Sequence, residues 1–479
     1  MDRPVARSVT VWAWLDGSRH REFVRCHCAI SPAGRIVAMD WRALLLPREK
    51  PVAVGLIGLG SFGLSFLRQS LHVPGMSVVA LCDADGEGGL AAAKAAGLTH
   101  PTICETATAA QRILEQGKLP LLVDGTELPF SMLDAVVEAS GAPEAGARHG
   151  EAALRNGCHL VLVNKETACT AGPALAAMAR ANGLVYSMAD GDQPAMVLEM
   201  VQWARVLGLD VVCAGKAGEA DVPAAEVATG GSSSVSAAGD SLVSTVRSRS
   251  EHIPLQQRVR VPDIAEMAIV INETGFGWNS PGLFGPAMHY AEMASLLRHM
   301  DDGGLLDSTP AVEIANLITH PRAPSMAGGV FIVIRAREGD DWSQLAPKRH
   351  LMSPDGRHIL LWRPYHLLGL ETPLSVLAAV HLGVPTSGRN VEHRVDVVAR
   401  TEVPFHAGQV LAMDRAHCVQ DLKAELTAPQ SDGPDTCVPY YVAASCSLLR
   451  DVPAGRHLRW RDVDIPSDSS LQRLRRESA

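Results

Sequence analysis

The sequence predicts an α/β protein organised on a doubly wound parallel sheet, followed by an α+β region and a small β-rich C-terminal domain. Three observations carry this. An apolar run, Val52–Ile57, meets Gly58-Leu59-Gly60-Ser61-Phe62-Gly63. A second apolar run, residues 77–82, ends in Asp83, and strand and helix patterns then alternate to about Ala189. Such alternation builds a parallel sheet covered by helices on both faces, whose strands read as continuous apolar runs.

The glycine turn has the form of a dinucleotide site. Gly58 permits a tight turn, Gly60 lets the backbone approach a pyrophosphate, and Gly63 lets the helix at 61–72 pack close to the strand. Ser61 and Phe62 open that helix, whose N-terminus would face the phosphates. A lone G-x-G-x-x-G is a weak signal, and the flanking apolar runs and Asp83 make it specific. A carboxylate at Asp83 would accept both ribose hydroxyls of the adenosine half, which favours NAD. NADP, the secondary expectation, would want Arg or Lys beside it, and Ala84-Asp85-Gly86-Glu87 offers only negative charge. The competing reading of Asp83 is a helix N-cap.

Further along, residues 135–139 form a strand ending in Ser140-Gly141-Ala142-Pro143, a loop expected to border the nicotinamide. Residues 159–163 form the next strand and end in Asn164-Lys165-Glu166; an alanine-rich helix at 172–182 and a strand at 184–187 lead to Ala189-Asp190-Gly191-Asp192-Gln193-Pro194. Open α/β sheets bind ligands at strand carboxyl ends, so Lys165, Asp190 and Asp192 should converge on the crevice of the glycine turn. The plainer readings are a solvated lysine and two helix caps, which suits Asp192 better. Residues 230–250 are rich in Gly, Ser and Ala and read as mobile. Helical spacing resumes at 263–274, residues 287–299 read as an amphipathic segment suited to a homo-oligomer interface, and 330–336 and 358–362 read as strands. Near the end, Glu402-Val403-Pro404 is echoed by Asp451-Val452-Pro453, each followed by a glycine turn, in a β-rich stretch.

The whole chain sets limits on function. Its 479 residues suggest about three domains. No apolar run reaches the ~18 residues of a membrane span, so no membrane is expected. A net charge of −9 gives no general attraction to nucleic acid. Ten scattered cysteines without an export signal read as reduced thiols of a cytoplasmic protein. Cys26-His27-Cys28 lacks the paired spacing of a zinc site, and no metal is expected. Residues 1–50, with several arginines and tryptophans, have no assigned role.

With these motifs in one order the chain resembles the homoserine dehydrogenase-like oxidoreductases that carry a C-terminal SAF domain, over roughly residues 51–466. The resemblance rests on the glycine turn, Val161-Leu162-Val163-Asn164-Lys165-Glu166, the Asp190/Asp192 turn, the run from Glu266 to Gly275, the run from Arg363 to Val376, and the acid-Val-Pro echo. It implies an NAD(P)-binding domain at 51–208, a substrate and oligomerisation region at 209–389, a SAF-like domain at 390–466 and a disordered tail at 467–479. It also implies hydride transfer between a hydroxyl and a carbonyl of a small polar metabolite, with Lys165 near the nicotinamide. That ammonium would stabilise the developing alkoxide, or shuttle its proton if burial lowered its pKa. Relatives carry Gly-Thr-Lys where Arg260-Val261-Pro262 stands here, so Lys216 is the candidate second cation. Arg363 and His366 are the candidates to grip a substrate carboxylate or phosphate. The missing lysine keeps two alternatives open: an isomerase or lyase using tightly held NAD as a redox relay, and a non-catalytic SAF-domain binding protein.

Overall fold

The computed structural model describes residues 9–11, 24–26, 44–45, 50–220, 239–253, 258–318, 328–348, 350–387 and 390–478. Near the N-terminus β1 (Val9–Val11) pairs antiparallel with β2 (Val24–Cys26). Of Cys26-His27-Cys28, only Cys26 lies among the described residues.

The first large sheet has seven parallel strands: β3 (Val52–Ile57), β4 (Met76–Cys82), β5 (Pro101–Cys104), β6 (Leu119–Leu122), β7 (Ala135–Glu138), β8 (His159–Leu162) and β9 (Tyr186–Met188). Their order is β5-β6-β4-β3-β7-β8-β9. The central strands are buried on both faces, with Val54, Leu56, Leu81, Val136 and Val137 fully enclosed, which is why they read as unbroken apolar runs. Helices α1 (Ser61–Ser70), α2 (Gly86–Ala95), α3 (Ala107–Glu115), α4 (Pro143–Arg155) and α5 (Lys165–Ala181) connect these strands or follow them. Because β4 and β7 lie on opposite sides of β3, the chain reverses direction there and opens a crevice at the carboxyl ends of β3 and β7.

Helix α6 (Gln193–Val206) leads into a mixed five-stranded sheet of β10 (Asp210–Ala220), β11 (Ala287–Met288), β12 (Ala311–Ile318), β13 (Val330–Arg335) and β14 (His358–Arg363), in the order β11-β12-β10-β13-β14. Helix α8 (Val261–Thr274), which follows α7 (Gly239–Glu251), packs against α5 and α6 and is buried along nearly its whole length. Asn272 ties α8 to the C-terminal unit, accepting from Arg394 N at 2.8 Å and Val395 N at 3.2 Å. Helix α9 (Pro373–Leu382) returns to the first sheet.

The C-terminal unit contains β15 (Asp396–Thr401) paired with β16 (Leu422–Thr427), and β17 (Ser447–Leu448) paired with β18 (Val463–Asp464). Its internal echo is a physical pairing. Phe405 N donates to Val452 O and Val452 N to Phe405 O, both at 2.9 Å, so the two acid-Val-Pro segments bridge each other.

Three local expectations need correction. Residues 287–299 are not one amphipathic helix: β11 adds to the sheet, a single turn follows, and Met293–Leu296 forms a short helix. Ala287, Met288, Met293, Ala294, Leu296 and Leu297 are all buried, so these apolar residues fill a core. Of the Gly/Ser-rich stretch at 230–250, residues 230–238 lie outside the described residues, while Gly239–Glu251 is helical. The expected frayed tail is α10 (Ser470–Glu477), docked on α4 and α5. Leu471 and Leu474 are buried, and Arg475 makes a buried bidentate pair with Asp396 at 2.9 and 2.6 Å. Two buried leucines, the ion pairs of Arg473 with Glu151, Arg475 with Asp396 and Arg476 with Asp432, and the Glu144 carboxylate at its N-terminus hold a segment too polar to read as docked.

Candidate active site

The glycine turn is shaped by what a side chain would strike. Gly58 has φ +88°, and a Cβ there would lie 2.4 Å from Ala139 O; one on Gly63 would lie 1.9 Å from Gly58 O. Around Gly60 a Cβ would meet nothing within 4 Å, so its backbone faces open space. Gly60 is also the N-cap of α1, has no capping side chain, and is followed by no acidic residue in the first turn. The positive helix end and its unpaired N–H groups are therefore left for an anion. Asp83 accepts from Leu59 N at 2.8 Å and Asp85 N at 3.0 Å, bracing the turn while each oxygen keeps lone-pair capacity. The cap of α2 is Asp85, which accepts from Gly88 N at 2.9 Å. These residues fit a dinucleotide.

The glycines separate fold from binding. Gly63→Ala is expected to destabilise the protein by about 2–3 kcal/mol, since its methyl group must displace backbone. Gly60→Ala should leave the melting temperature within a degree or two of wild type, at about 0.5 kcal/mol or less, yet weaken cofactor binding. Thermal melts and cofactor titrations of the two variants read this contrast directly.

Across the crevice, Glu138 accepts from Ser140 N at 3.2 Å, and Asn164 Nδ2 donates to Ala142 O at 3.0 Å. Asn164 Oδ1 accepts from Thr167 N at 3.0 Å as the N-cap of α5, so Lys165 is the first residue of that helix at the carboxyl end of β8. The helix thus begins at Lys165 instead of residue 172, and Pro173 lies inside it.

Lys165 Nζ hydrogen-bonds Glu266 Oε1 and lies 3.8 Å from Asp192 Oδ1. Lys216, from β10, binds the other oxygen, Glu266 Oε2, at 2.5 Å and Asp263 Oδ1 at 2.6 Å. One buried carboxylate therefore bridges both lysines. Burial would push both ammoniums toward neutrality, but the carboxylates of Asp192, Glu266 and Asp263 outweigh it and hold both pKa values above the ordinary lysine value. Burial would likewise raise Glu266, yet the two lysines bring it below the usual carboxylate range. Lys165 is thus fixed as a cation, which favours charge stabilisation over proton shuttling. Asp192 caps α6 through Gln193 N at 3.1 Å while facing Lys165, and its Oδ2 is buried without a hydrogen bond.

Residues 58–188 match the family model described as homoserine dehydrogenase, NAD binding domain. Residues 191–248 and 261–372 match the model described as oxidoreductase DRL, catalytic domain. The chain is an NAD(P)-binding oxidoreductase, with a homoserine dehydrogenase-type NAD-binding domain followed by a DRL-type catalytic domain. No curated protein matches it in sequence. Similar solved structures include a homoserine dehydrogenase from Thiobacillus denitrificans, 13% identical over 75% of this chain and 84% of that one, with a TM-score of 0.38. A putative myo-inositol dehydrogenase from Sinorhizobium meliloti 1021 is 14% identical over 70% and 90%, with a TM-score of 0.34. A dihydrodipicolinate reductase from Paenisporosarcina sp. TG-14 is 11% identical over 69% and 95%, also with a TM-score of 0.34.

In this oxidoreductase three expected site residues lie apart from the lysine cluster. Arg363 is paired with Glu199 at 3.1 Å and with Glu371, and its guanidinium stacks 5.1 Å from the Tyr365 ring centre. His366 packs beside Gly328, within 2.9 Å of where a Cβ would stand. Their motif is a latch: Leu368 N donates to Gly191 O at 3.1 Å, and Gly369 meets α1 so closely that a Cβ would lie 2.2 Å from Phe66 N. Asp190 faces the same latch, its carboxyl hydrogen-bonded by Ser375 and Thr386. Glu266 was not singled out from sequence. The available signal was Asp263 and Glu266, carboxylates one turn apart in an apolar helix.

Burial pushes the Asp190 carboxyl up to about 7. The folded state then binds this proton more tightly than the unfolded chain, so its contribution is present below the ordinary carboxylate value and lost as pH rises through about 7. Asp190→Asn should therefore gain on wild type as pH increases, by at most about 1.4 kcal/mol per pH unit between those values. Melts at acidic and mildly alkaline pH check the sign.

Proposed function

We propose that this oxidoreductase interconverts a hydroxyl and a carbonyl on a small polar metabolite. The observation that supports it most is Lys165, held cationic beside the Ser140–Gly141 loop at the crevice that the glycine turn opens. When bound, the nicotinamide cofactor supplies or accepts the hydride. Gly58, Gly60, Ser61, Phe62, Gly63 and Asp83 would hold its adenosine and phosphates, and Ser140 and Gly141 would flank its ring. The Lys165 ammonium offers a hydrogen bond and positive charge to the substrate oxygen, where electron density collects as the carbonyl is reduced. Lys216 and Glu266 fix that ammonium, so little reorganisation is needed during the reaction. Asp192 and Asp263 add acceptors suited to hydroxyl or ammonium groups of a polar substrate.

No described helix is long and apolar enough to cross a membrane. A cytoplasmic location and a SAF-like assignment for the C-terminal unit complete this reading. Screening small hydroxy acids, sugar acids and aldehydes for NAD(P)H-linked absorbance change tests it. Turnover of a polar hydroxy or carbonyl compound is expected, and its absence in a protein that binds neither cofactor would overturn the proposal.

A further inference from the structure

The C-terminal unit reaches into the cleft through one side chain. His417 lies on a tight loop in which Asp414 Oδ1 accepts from Ala416 N at 2.8 Å and Cys418 N at 2.9 Å. Two buried tyrosines pin the loop: Tyr440 OH accepts from Val419 N at 2.8 Å, and Tyr441 OH donates to His417 O at 3.4 Å. His417 itself has φ +61°, a left-handed conformation costing a residue with a Cβ about 1–2 kcal/mol. Its imidazole lies over Gly141, where a Cβ would come within 2.7 Å of Cε1, and the ring hydrogen-bonds the Gly141 backbone. His417 Nδ1 is 3.2 Å from Oε1 of Glu166, the buried residue after Lys165, without the geometry of a hydrogen bond.

We propose that the C-terminal unit is part of the active site, with His417 a positioning residue that fixes the Gly141 loop and, through Glu166, the charge beside Lys165. The proposal rests on the oxidoreductase reading above. The groups that set this charge come from the Gly141 and Asp414 loops, α5 with Lys165, the turn at Asp192, α8 with Glu266, and Tyr441. Burial, then the Lys165 charge, lowers His417, while the Gly141 hydrogen bond and Asp414 oppose. Burial raises Glu166 to about 7, Lys165 opposes, and Asp192 and Glu266 add to the rise. Tyr441 faces Glu166 as a neutral phenol, its pKa raised by burial and by that carboxylate. Near neutral pH the imidazole is thus uncharged and Glu166 titrates against it.

Two variants of the full chain test this. Glycine takes the left-handed conformation freely, so His417→Gly should melt at or above the wild-type temperature. It should nevertheless move the pH profile of kcat by about one unit and lower kcat at least about tenfold. His417→Gln, which keeps a donor for Gly141 but cannot titrate, should recover part of kcat without recovering the wild-type pH profile. Infrared titration of the Glu166 carboxyl, assigned by difference with Glu166→Gln, needs no substrate and should shift in both His417 variants. An unmoved Glu166 titration, or a His417→Gly protein that merely loses stability, would overturn the proposal. Wild type lacking cofactor binding would instead defeat the oxidoreductase reading, with the infrared result still reporting on the pair.

Discussion

Glu266→Ala is expected to cost the fold about 3 kcal/mol, because it removes the carboxylate that two ammoniums share and leaves Lys216 with Asp263 alone and Lys165 with Asp192 3.8 Å away. Glu266 is 2% exposed and accepts from Lys165 on one oxygen and Lys216 on the other. Burying charges is unfavourable in itself, so such a bridge adds little net stability, but removing the shared partner leaves desolvation that Asp192 and Asp263 offset only in part. The same logic predicts that replacing Lys165, Glu266 and Lys216 together by methionine restores only part of the loss, because Asp192 and Asp263 lose their cationic partners in turn, while abolishing function. The acid limb follows in sign. A carboxylate held below its ordinary value contributes above that value and loses the contribution as pH falls through the depressed one. Denaturation of wild type, the single variant and the triple variant measures all three statements.

Lys165→Ala is expected to lower kcat by roughly 10²–10³, about 3–4 kcal/mol, with cofactor binding nearly unchanged. Lys216 still neutralises Glu266, so the fold should survive. Only interactions stronger in the transition state accelerate chemistry, and an ammonium aimed at a developing alkoxide is one of these. A folded variant keeping more than about a tenth of wild-type kcat would return Lys165 to a structural ion pair.

The parallel sheet and its glycine turn were legible because burial on both faces writes itself into apolar runs, and because Gly58 and Gly63 occupy places where any Cβ collides. Lys165 was legible because the chain reverses at β3, so strand ends identify the crevice. Glu266 was hidden by its own helix, where a single carboxylate hardly disturbs an apolar pattern. His417 was hidden by distance: it comes from another unit, and its flanking Asp414, Arg415 and Cys418 read as an ordinary surface turn. For Arg363 and His366 the sequence shows a motif of charged and aromatic residues but not the partners that its members meet. Here the charge is consumed by Glu199 and Glu371, and the motif's Gly369 closes on α1.

Calorimetric titration of NADH and NADPH into the purified chain, its Gly60→Ala variant and its Asp83→Ala variant tests the central claim most directly. Wild type should bind NADH below the millimolar range and more tightly than NADPH. Asp83→Ala should narrow that preference, and Gly60→Ala should bind at least about tenfold more weakly, near 1.4 kcal/mol, while melting like wild type. Wild type that binds neither nucleotide below the millimolar range would contradict the account.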